Sequence, residues 1–203
     1  MSDSTEQQST NSAKRLVLAS ASPRRRELLS AMGVEFDVCA ADIDESRLED
    51  ELAEDYVIRL AREKAHKIST QSADKNVAIL AADTIVVQGE RVFGKPSDEE
   101  HARRIWQVLS GNKHQVMTAV CLLNEGKNQI KLSSTDVEFG RITDEQMIRY
   151  WSTGEPFDKA GAYAIQGFAS AWVKQINGSY SNVVGLPLRE VNQLLAEIGL
   201  NWL

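Results

Sequence analysis

The sequence predicts an α/β protein whose core is a mixed, twisted β-sheet with flanking helices. Strand-like and helix-like segments alternate over roughly the first half of the chain, a pattern typical of parallel strands joined by helices. Two strand-like runs around a short turn follow, and such a pair is typical of an antiparallel hairpin. The chain has 203 residues, 42% of them hydrophobic, which suffices for one substantial core or a core with a subsidiary lobe.

Apolar patterns and boundary residues define the individual elements. In chain order we predict strand Leu16–Ala19, helix Pro23–Met32, strand Phe36–Ala40, helix Glu54–Ile68, strands Val77–Val87 and Arg91–Phe93, a helix opening at the capping box Ser97–Glu100, strands Gln115–Leu123 and Gln129–Phe139, a short helix opening at the capping box Thr143–Gln146, and helix Pro187–Ile198. Residues 154–185 mix glycines, aromatic and polar residues, and their structure is not assigned.

The first strand runs into a helix whose first turn is unusually basic. Ser22 is a good N-cap and Pro23 suits the first helical position, but Arg24, Arg25 and Arg26 follow at once. The helix dipole disfavours cations at this end. The arginines are explained if an anion such as phosphate lies among them, held also by serine hydroxyls and free backbone N–H groups. A solvated basic turn is the alternative.

Asp83 interrupts an otherwise apolar strand, and it is the strongest single candidate for chemistry. A buried carboxylate is costly unless it is paired, hydrogen-bonded or bound to a metal. Asp83 is therefore expected to act as a general base for water or as a ligand of a divalent cation. The alternative is a bulge or strand end at which Asp83 faces water.

Three further charged residues are candidates on weaker grounds. Glu45 lies in an acidic loop and is by itself typical of a solvated charge run, but together with Asp83 it could ligate Mg²⁺. Lys64 borders the apolar face of the second helix, and Lys95 lies in Gly94-Lys95-Pro96. Either lysine could neutralise a phosphate, and either could be an ordinary surface residue.

The segment from Phe157 to Gly167 is rich in small residues around Tyr163 and Gln166, which would leave room for a planar ligand. The amide of Gln166 can offer both a donor and an acceptor to the edge of a nucleobase. A tightly packed loop explains the same composition equally well.

Composition excludes several functional classes. The net charge of −6 leaves no general basic surface for a nucleic acid. Three histidines without ligand spacing argue against a zinc site, and no apolar run is long enough to span a bilayer. The two cysteines, Cys39 and Cys121, are expected to be free buried thiols in a reducing compartment, presumed cytoplasmic. Residues 1–13 are polar, and we expect a disordered tail preceding a single domain, 14–203.

Six short motifs resemble the Maf family of nucleoside triphosphate pyrophosphatases. They occur in the family's order over about residues 14–198. The motifs are Ser20-Ala21-Ser22-Pro23-Arg24-Arg25, Arg62-Glu63-Lys64-Ala65, Ala82-Asp83-Thr84, Gly94-Lys95-Pro96, Lys159-Ala160-Gly161-Ala162-Tyr163 and Asn177-Gly178-Ser179-Tyr180. Ala21 and Ala164 stand where the family often has glycine, which bears on the shape of the pocket and leaves the chemistry unaffected.

The resemblance implies a house-cleaning hydrolase that cuts between the α and β phosphates, releasing a nucleoside monophosphate and pyrophosphate. It implies two lobes around a cleft in a fold similar to inosine triphosphatases, a divalent cation (Mg²⁺ or Mn²⁺) and a possible homodimer. Arg24, Thr84 and Gln166 resemble the specificity residues of the branch that acts on dTTP and UTP, for which modified pyrimidine triphosphates are also plausible substrates.

On that basis each candidate residue receives a role. Asp83 is the expected general base, and Glu45 and Asp83 are the expected metal ligands. The remaining residues are expected to neutralise or bind the nucleotide: Ser20, Ser22, Arg24, Arg25, Lys64, Thr84, Lys95, Lys159 and Gln166. Arg26 has no counterpart among the motifs.

Two other functions remain open at this point. One is a 7-methyl-GTP pyrophosphatase, the activity of another branch of the family. The other is a nucleotide-binding regulator of septum formation and cell division. A regulator would need the phosphate-binding residues but not a carboxylate in the strand of Asp83.

Overall fold

The computed structural model describes residues 14–72, 74 and 76–200. The tail predicted at residues 1–13 lies outside this part of the chain. Within the described residues, no helix has both the length and the apolar character that crossing a membrane would require.

Seven strands and six α-helices make up the described chain. The strands are β1 Arg15–Leu18, β2 Asp37–Val38, β3 Val77–Gln88, β4 Arg91–Phe93, β5 Lys113–Asn124, β6 Lys127–Phe139 and β7 Val173–Asn177. The helices are α1 Pro23–Ala31, α2 Ala53–Gln71, α3 Glu99–Leu109, α4 Asp144–Ser152, α5 Tyr180–Val184 and α6 Leu188–Glu197, with short 3-10 helices at Ala160–Ala162 and Phe168–Trp172. The unassigned residues 154–185 thus contain the last strand and a short helix.

The strands form one sheet in the order β2-β1-β3-β5-β6-β7, and β4 pairs with the far end of β3. β1 runs parallel to β2 and β3, whereas β5, β6 and β7 are joined by antiparallel pairing. The mixed sheet with flanking helices that the sequence predicts is confirmed.

β3 has an interval in its middle that is paired on one side only. Its pairing with β1 ends at Leu80, opposite Leu18, and its pairing with β4 begins at Val86, opposite Phe93. On the other side β5 follows β3 without a break from residue 79 to residue 87. Residues 81–85 therefore form an open edge inside the sheet, because no strand in the described part of the chain covers that side. We call this stretch the open interval.

Three apolar clusters stabilise the sheet. One lies under α2, a second joins β1, β3 and β5 to α1 and α6, and the third gathers aromatic residues of α3, α4 and β6 around Trp106. Successive β3 residues alternate between the faces, so that Ala81 and Ile85 pack toward α2 and Ala82 packs toward α6. Residues of the α2 cluster and of the aromatic cluster line the cavity described below, as expected for two lobes around a cleft.

Three local predictions are corrected by the structure. The N-cap of α3 is Asp98 and not Ser97, because the Asp98 carboxylate accepts the backbone N–H of His101 at 2.7 Å while the Ser97 hydroxyl donates to Asp98. The second strand is only two residues long. Cys39, at its end, is exposed and not buried, whereas Cys121 is buried as expected. The capping box at Thr143 and Gln146 is confirmed.

Candidate active site

A cavity of about 710 Å³ opens at the open interval of β3. All the site residues that the sequence predicts line this one cavity: Ser20, Ser22, Arg24, Arg25, Glu45, Lys64, Asp83, Thr84, Lys95, Lys159 and Gln166. Asp83 and Thr84 point to opposite faces of the sheet, and both reach the cavity because the open interval has no strand beside it.

The loop between β1 and α1 is folded on itself at the mouth of the helix. Ser22 is the N-cap, and its hydroxyl accepts the backbone N–H of Arg25 at 3.4 Å, with Pro23 in the first turn. The hydroxyl of Ser20 accepts the backbone N–H of Ser22 at 3.2 Å. These contacts aim the N-terminus of α1 at the cavity, where its dipole favours an anion.

The arginines of the first turn of α1 differ in their surroundings. Arg25 reaches inward, donating to the Gly185 carbonyl at 2.8 Å, to the Thr84 hydroxyl at 3.0 Å and to the Ser20 hydroxyl at 3.4 Å. Burial lowers the pKa of this guanidinium from its ordinary value. Arg24 lies 3.7 Å from the carboxylate of Asp158, and Arg26 is exposed outside the cavity lining. Arg25 is thus the most firmly held of the three.

The charged centre of the cavity joins two carboxylates through one ammonium group. Lys64 Nζ lies 2.5 Å from Asp83 Oδ1 and 2.6 Å from Glu45 Oε1, and Lys95 Nζ lies 3.2 Å from Glu45 Oε2. Lys64 and Asp83 are each 7% exposed. Asp83 is in the middle of β3 without a bulge, so the alternative of a solvated strand end is wrong.

The cations lower the pKa of Glu45. Burial alone would raise it, but the hydrogen bond and charge of Lys64, with a smaller contribution from Lys95, outweigh burial. Glu45 is therefore ionised at neutral pH and faces the same ammonium group as Asp83. The structure thus brings Glu45 into the site, rather than leaving it as a solvated charge.

The irregular loop that carries Glu45 is fastened to α2 by side chains that the sequence analysis missed. Tyr56 donates its hydroxyl to the Glu45 carbonyl at 2.6 Å, and Arg59 donates to the Ser46 carbonyl at 2.9 Å. Arg59 also pairs with both carboxylate oxygens of Glu51, at 2.6 and 2.9 Å, and this contact lowers the pKa of Glu51 to about 2. Glu51 lies in the chain between the Glu45 loop and the start of α2. Its pairing with Arg59 therefore attaches this connecting segment to the helix.

A hydroxyl chain behind Thr84 was also missed. Thr84 Oγ1 is 3.0 Å from Thr118 Oγ1, and Thr118 donates to the Asn182 carbonyl at 3.1 Å. Thr118 and Asn182 are fully buried. The register of β3 and β5, which places Thr84 opposite Thr118, could have revealed this pair if the hairpin register had been derived from the sequence.

Gln166 also lines the cavity, and it lies on an exposed turn. The backbone N–H of Gly167 donates to the Ala164 carbonyl at 3.2 Å, which places Ile165 and Gln166 at the two central positions. Lys159, close by in sequence, donates to the Glu155 carbonyl at 2.5 Å and pairs with Asp158 at 2.6 Å. The predicted phosphate-binding residues and Gln166 therefore line one cavity from different elements of the chain.

The acidic residues suit a divalent cation only together with a ligand that supplies more oxygen atoms. Among the described residues, no group of three or more His, Cys, Asp or Glu side chains could hold a metal ion. Glu45 and Asp83 are two hard oxygen donors converging on one point, which is now occupied by the Lys64 ammonium. Mg²⁺ commonly uses one or two carboxylates with substrate phosphates and water, so this pair fits a cation that arrives with a phosphate.

The cavity can bind a small polyanion although the protein is acidic overall. Arginine and lysine side chains, serine hydroxyls and a helix N-terminus line one region, with two carboxylates beside them. Such an arrangement can neutralise transferred phosphates and position a carboxylate next to them, which is the main requirement of phosphoryl transfer.

Comparisons with known proteins agree with this chemistry. A family model described as Maf-like protein matches residues 15–198. The dTTP/UTP pyrophosphatase of Pseudoalteromonas atlantica is 52% identical over 187 residues, covering 91% of this chain and 97% of the relative. Those of Colwellia psychrerythraea and Escherichia coli O157:H7 are 48% and 50% identical, covering 94% and 89% of this chain and 92% and 91% of theirs. The solved Ham1 protein of Staphylococcus aureus has a TM-score of 0.47 and 12% identity, covering 92% of this chain and 98% of its own.

Proposed function

The chain belongs to the Maf family, and from that premise we propose that it hydrolyses dTTP and UTP to the nucleoside monophosphate and pyrophosphate. The relatives that carry this name are about half identical to the chain over nearly all of its length. The observation that carries the proposal is the Lys64 ammonium held between Asp83 and Glu45 in a cavity rich in cations.

In the proposed reaction Asp83 accepts a proton from the water that attacks the α-phosphorus. Its fixed position in the middle of β3 supports this role, because a general base must be held within hydrogen-bond reach of the water. Before substrate and cation bind, Lys64 would keep the Asp83 carboxylate oriented through their contact at 2.5 Å. The bond between the α and β phosphates breaks, and pyrophosphate leaves.

The remaining predicted residues would bind the triphosphate. Ser20, Ser22 and Arg24 lie at the N-terminus of α1, and Lys95 and Lys159 line the same cavity. Together they would offset the charge that moves onto the leaving pyrophosphate. Arg25, with its three internal hydrogen bonds, would hold Ser20 and Thr84 in place as well as contribute charge.

We further propose that Glu45 and Asp83 hold a divalent cation together with the substrate phosphates. Such a cation, Mg²⁺ or Mn²⁺, would supply positive charge next to the phosphate oxygens. For the two carboxylates to take this role, Lys64 must move from its present place between them toward the phosphates. The flexible lysine stem permits that movement, and the charge of the cation would replace that of the ammonium between the carboxylates.

An assay of pyrophosphate release tests the activity. The purified protein is given dTTP, UTP, CTP, GTP and 7-methyl-GTP in turn, with Mg²⁺, with Mn²⁺ and with neither. We expect the highest kcat/KM with dTTP and UTP and a requirement for the cation. If none of the five triphosphates yields pyrophosphate, the proposed enzymatic activity is contradicted. A preference for 7-methyl-GTP would assign the chain to the other branch of the family.

Asp83→Asn tests the general base. The substitution keeps the shape of the side chain but not its basicity, and we expect kcat to fall by about 10²- to 10⁴-fold. Asp136→Asn on β6 is the matched control, because Asp136 pairs with Gln115 away from the cavity. Near-normal turnover in Asp83→Asn, with normal far-UV circular dichroism in both variants, would contradict the role of Asp83.

A cytoplasmic location, a homodimer and the absence of a nucleic-acid partner complete the proposal. The first rests on the free thiols expected in a reducing compartment, the second on the family resemblance, and the third on the net charge of −6. Light scattering coupled to size exclusion measures the oligomeric state, and a mass of 22.5 kDa would contradict the dimer.

A further inference from the structure

The turn that carries Gln166 is held at both of its ends by one pair of side chains. Tyr150 accepts the backbone N–H of Ala164 at 3.0 Å, just before the central residues of the turn. Glu155 accepts the backbone N–H of Phe168 at 3.1 Å, just after them. The Tyr150 hydroxyl donates to the other carboxylate oxygen of Glu155 at 2.7 Å and so joins the two contacts.

This Tyr150–Glu155 pair has a rigid base. Tyr150 is on α4, is 3% exposed and packs against Trp106 and Trp172, with ring centroids 5.3 and 4.7 Å apart. Burial, and then the hydrogen bond to Glu155, raise the pKa of its phenol. The hydroxyl is therefore protonated across the working pH range, and its bond to the carboxylate persists.

Gly167 shows how closely Glu155 approaches the turn. A Cβ atom built on Gly167 would lie 2.1 Å from Glu155 Oε2 and 2.2 Å from its carboxyl carbon. A side chain at position 167 would displace the Glu155 carboxylate, and the backbone of Gly167, at φ −112°, is not left-handed. The Glu155 carboxylate is packed against the turn itself.

Glu155 also contacts Lys159, another residue of the cavity lining, through its main chain. Its carbonyl accepts the ammonium of Lys159 at 2.5 Å, while its carboxylate holds the turn of Gln166. A single residue therefore contacts both Lys159 and the turn of Gln166, two predicted parts of the substrate-binding site.

We infer that Tyr150 and Glu155 are positioning residues for base selectivity, which they exert by fixing the turn that presents Gln166. This inference rests on the proposed function, because it assumes that Gln166 reads the base. Neither side chain lines the cavity, so neither is expected to touch the substrate. Substitutions of these two residues should change the discrimination between bases and leave the cleavage step at Asp83 unchanged.

The test compares kcat/KM for UTP with kcat/KM for CTP, two substrates that share the sugar and the triphosphate. Tyr150→Phe keeps the ring packing and removes the hydroxyl, and Glu155→Ala removes the carboxylate. Each is expected to lower the UTP-to-CTP ratio by about threefold to tenfold, the effect of one lost hydrogen bond. Tyr180→Phe, on a half-exposed tyrosine outside the cavity lining, is the matched control and should leave the ratio unchanged.

A double-mutant comparison separates a positioning effect from general damage. In a Gln166→Ala background the ratio should already be low, and adding Tyr150→Phe should not lower it further, because both changes act through the same amide. An additional loss of ratio in the double variant would overturn the inference. So would an unchanged ratio in both Tyr150→Phe and Glu155→Ala while Gln166→Ala lowers it.

Amide hydrogen exchange gives a readout that needs no substrate. Tyr150→Phe should speed exchange of the Ala164 amide by about tenfold, and Glu155→Ala should do the same for Phe168, because each loses its acceptor. Unchanged protection of both amides would overturn the inference. If the amides respond but the wild-type protein shows no preference for UTP, the proposed substrate fails and the structural part of the inference stands.

Discussion

Two groups of residues that line the cavity, the phosphate end (Asp83, Glu45 and Lys64) and the base end (the turn of Gln166), hold their side chains by opposite means. At the phosphate end Asp83, Glu45 and Lys64 are charged and hold one another beside the open interval of β3. At the base end Gln166 is on a turn whose backbone N–H groups donate to Tyr150 and Glu155, with an aromatic cluster behind. In the proposed reaction the chemistry would depend on Asp83 in the sheet and on Glu45 and Lys64 from the loop and helix beside it, whereas base selectivity would depend on a turn that two side chains hold.

The largest expected effect comes from removing the shared cation of the phosphate end. Lys64→Met leaves two carboxylates facing each other, one of them in a buried strand, and should lower the free energy of unfolding by about 3–5 kcal/mol. We expect kcat to fall by about 10³-fold as well, because the variant loses both a positive charge that would neutralise the substrate phosphates and the contact that orients Asp83. Chemical denaturation and steady-state kinetics measure the two effects.

Two further variants keep this prediction sharp. Lys67→Met changes an exposed lysine of the same helix and should be nearly neutral. Adding Asp83→Asn to Lys64→Met removes the uncompensated carboxylate and should recover much of the stability but none of the activity. A double variant no more stable than Lys64→Met would show that the pair contributes to stability by packing rather than by charge.

The next largest effect is a loss of folding stability at acidic pH, which we expect from the buried side chain of His114 behind the base end. His114 is 2% exposed, its Nε2 is 2.8 Å from the Tyr163 hydroxyl, and its ring meets Phe139 edge to face. Burial lowers the pKa of His114 from 6.5 to about 4. Between these two values the unfolded chain takes up a proton that the folded protein refuses, so stability falls as the pH drops from about 6.5 to 4.

The size of that loss is about 3 kcal/mol, at about 1.4 kcal/mol per unit of pKa. His114→Gln cannot titrate and keeps a partner for Tyr163, so its free energy of unfolding should vary less with pH over this range. His66→Gln, at an exposed histidine, should retain the wild-type slope. Equal slopes in all three proteins would contradict the assignment to His114.

A smaller effect is expected from the fastening of the Glu45 loop. Arg59→Met removes the contacts to Glu51 and to the Ser46 carbonyl, and Glu45 should then spend less time beside Lys64. We expect kcat/KM to fall by about tenfold, since catalytic groups lose rate when their position is relaxed. Arg104→Met breaks an exposed ion pair on α3 and serves as the control. Equal activity in the two variants would show that the loop needs no fastening.

Sequence reasoning succeeded best where a residue contradicts its local pattern. An aspartate in an apolar strand and arginines at a helix start are costly unless a site explains them, and the structure brings both to one cavity. The sheet followed from the alternation of strand and helix patterns. The roles that the sequence analysis assigns to individual residues stay predictions until the variants above are measured.

The supporting residues could not be predicted in the same way. Tyr150, Glu155 and Arg59 fit their helices and loops without conflict, and their partners are backbone groups whose positions exist only after folding. Ser97 shows the opposite failure. Its spacing to Glu100 satisfies a capping box, yet the adjacent Asp98 competes for the same backbone N–H groups and caps α3 instead.

The open interval of β3 has a consequence for solubility. Unpaired backbone groups along a strand invite pairing with another chain, and proteins discourage this with inward-pointing charges or by covering the edge. Here Asp83 supplies the charge, and Arg25 reaches across to Thr84 and Gly185. A chain with hydrophobic residues in place of Asp83 and Arg25 would lose this protection against intermolecular strand pairing. Residues with roles in the proposed reaction would therefore also protect this edge of β3 from intermolecular pairing.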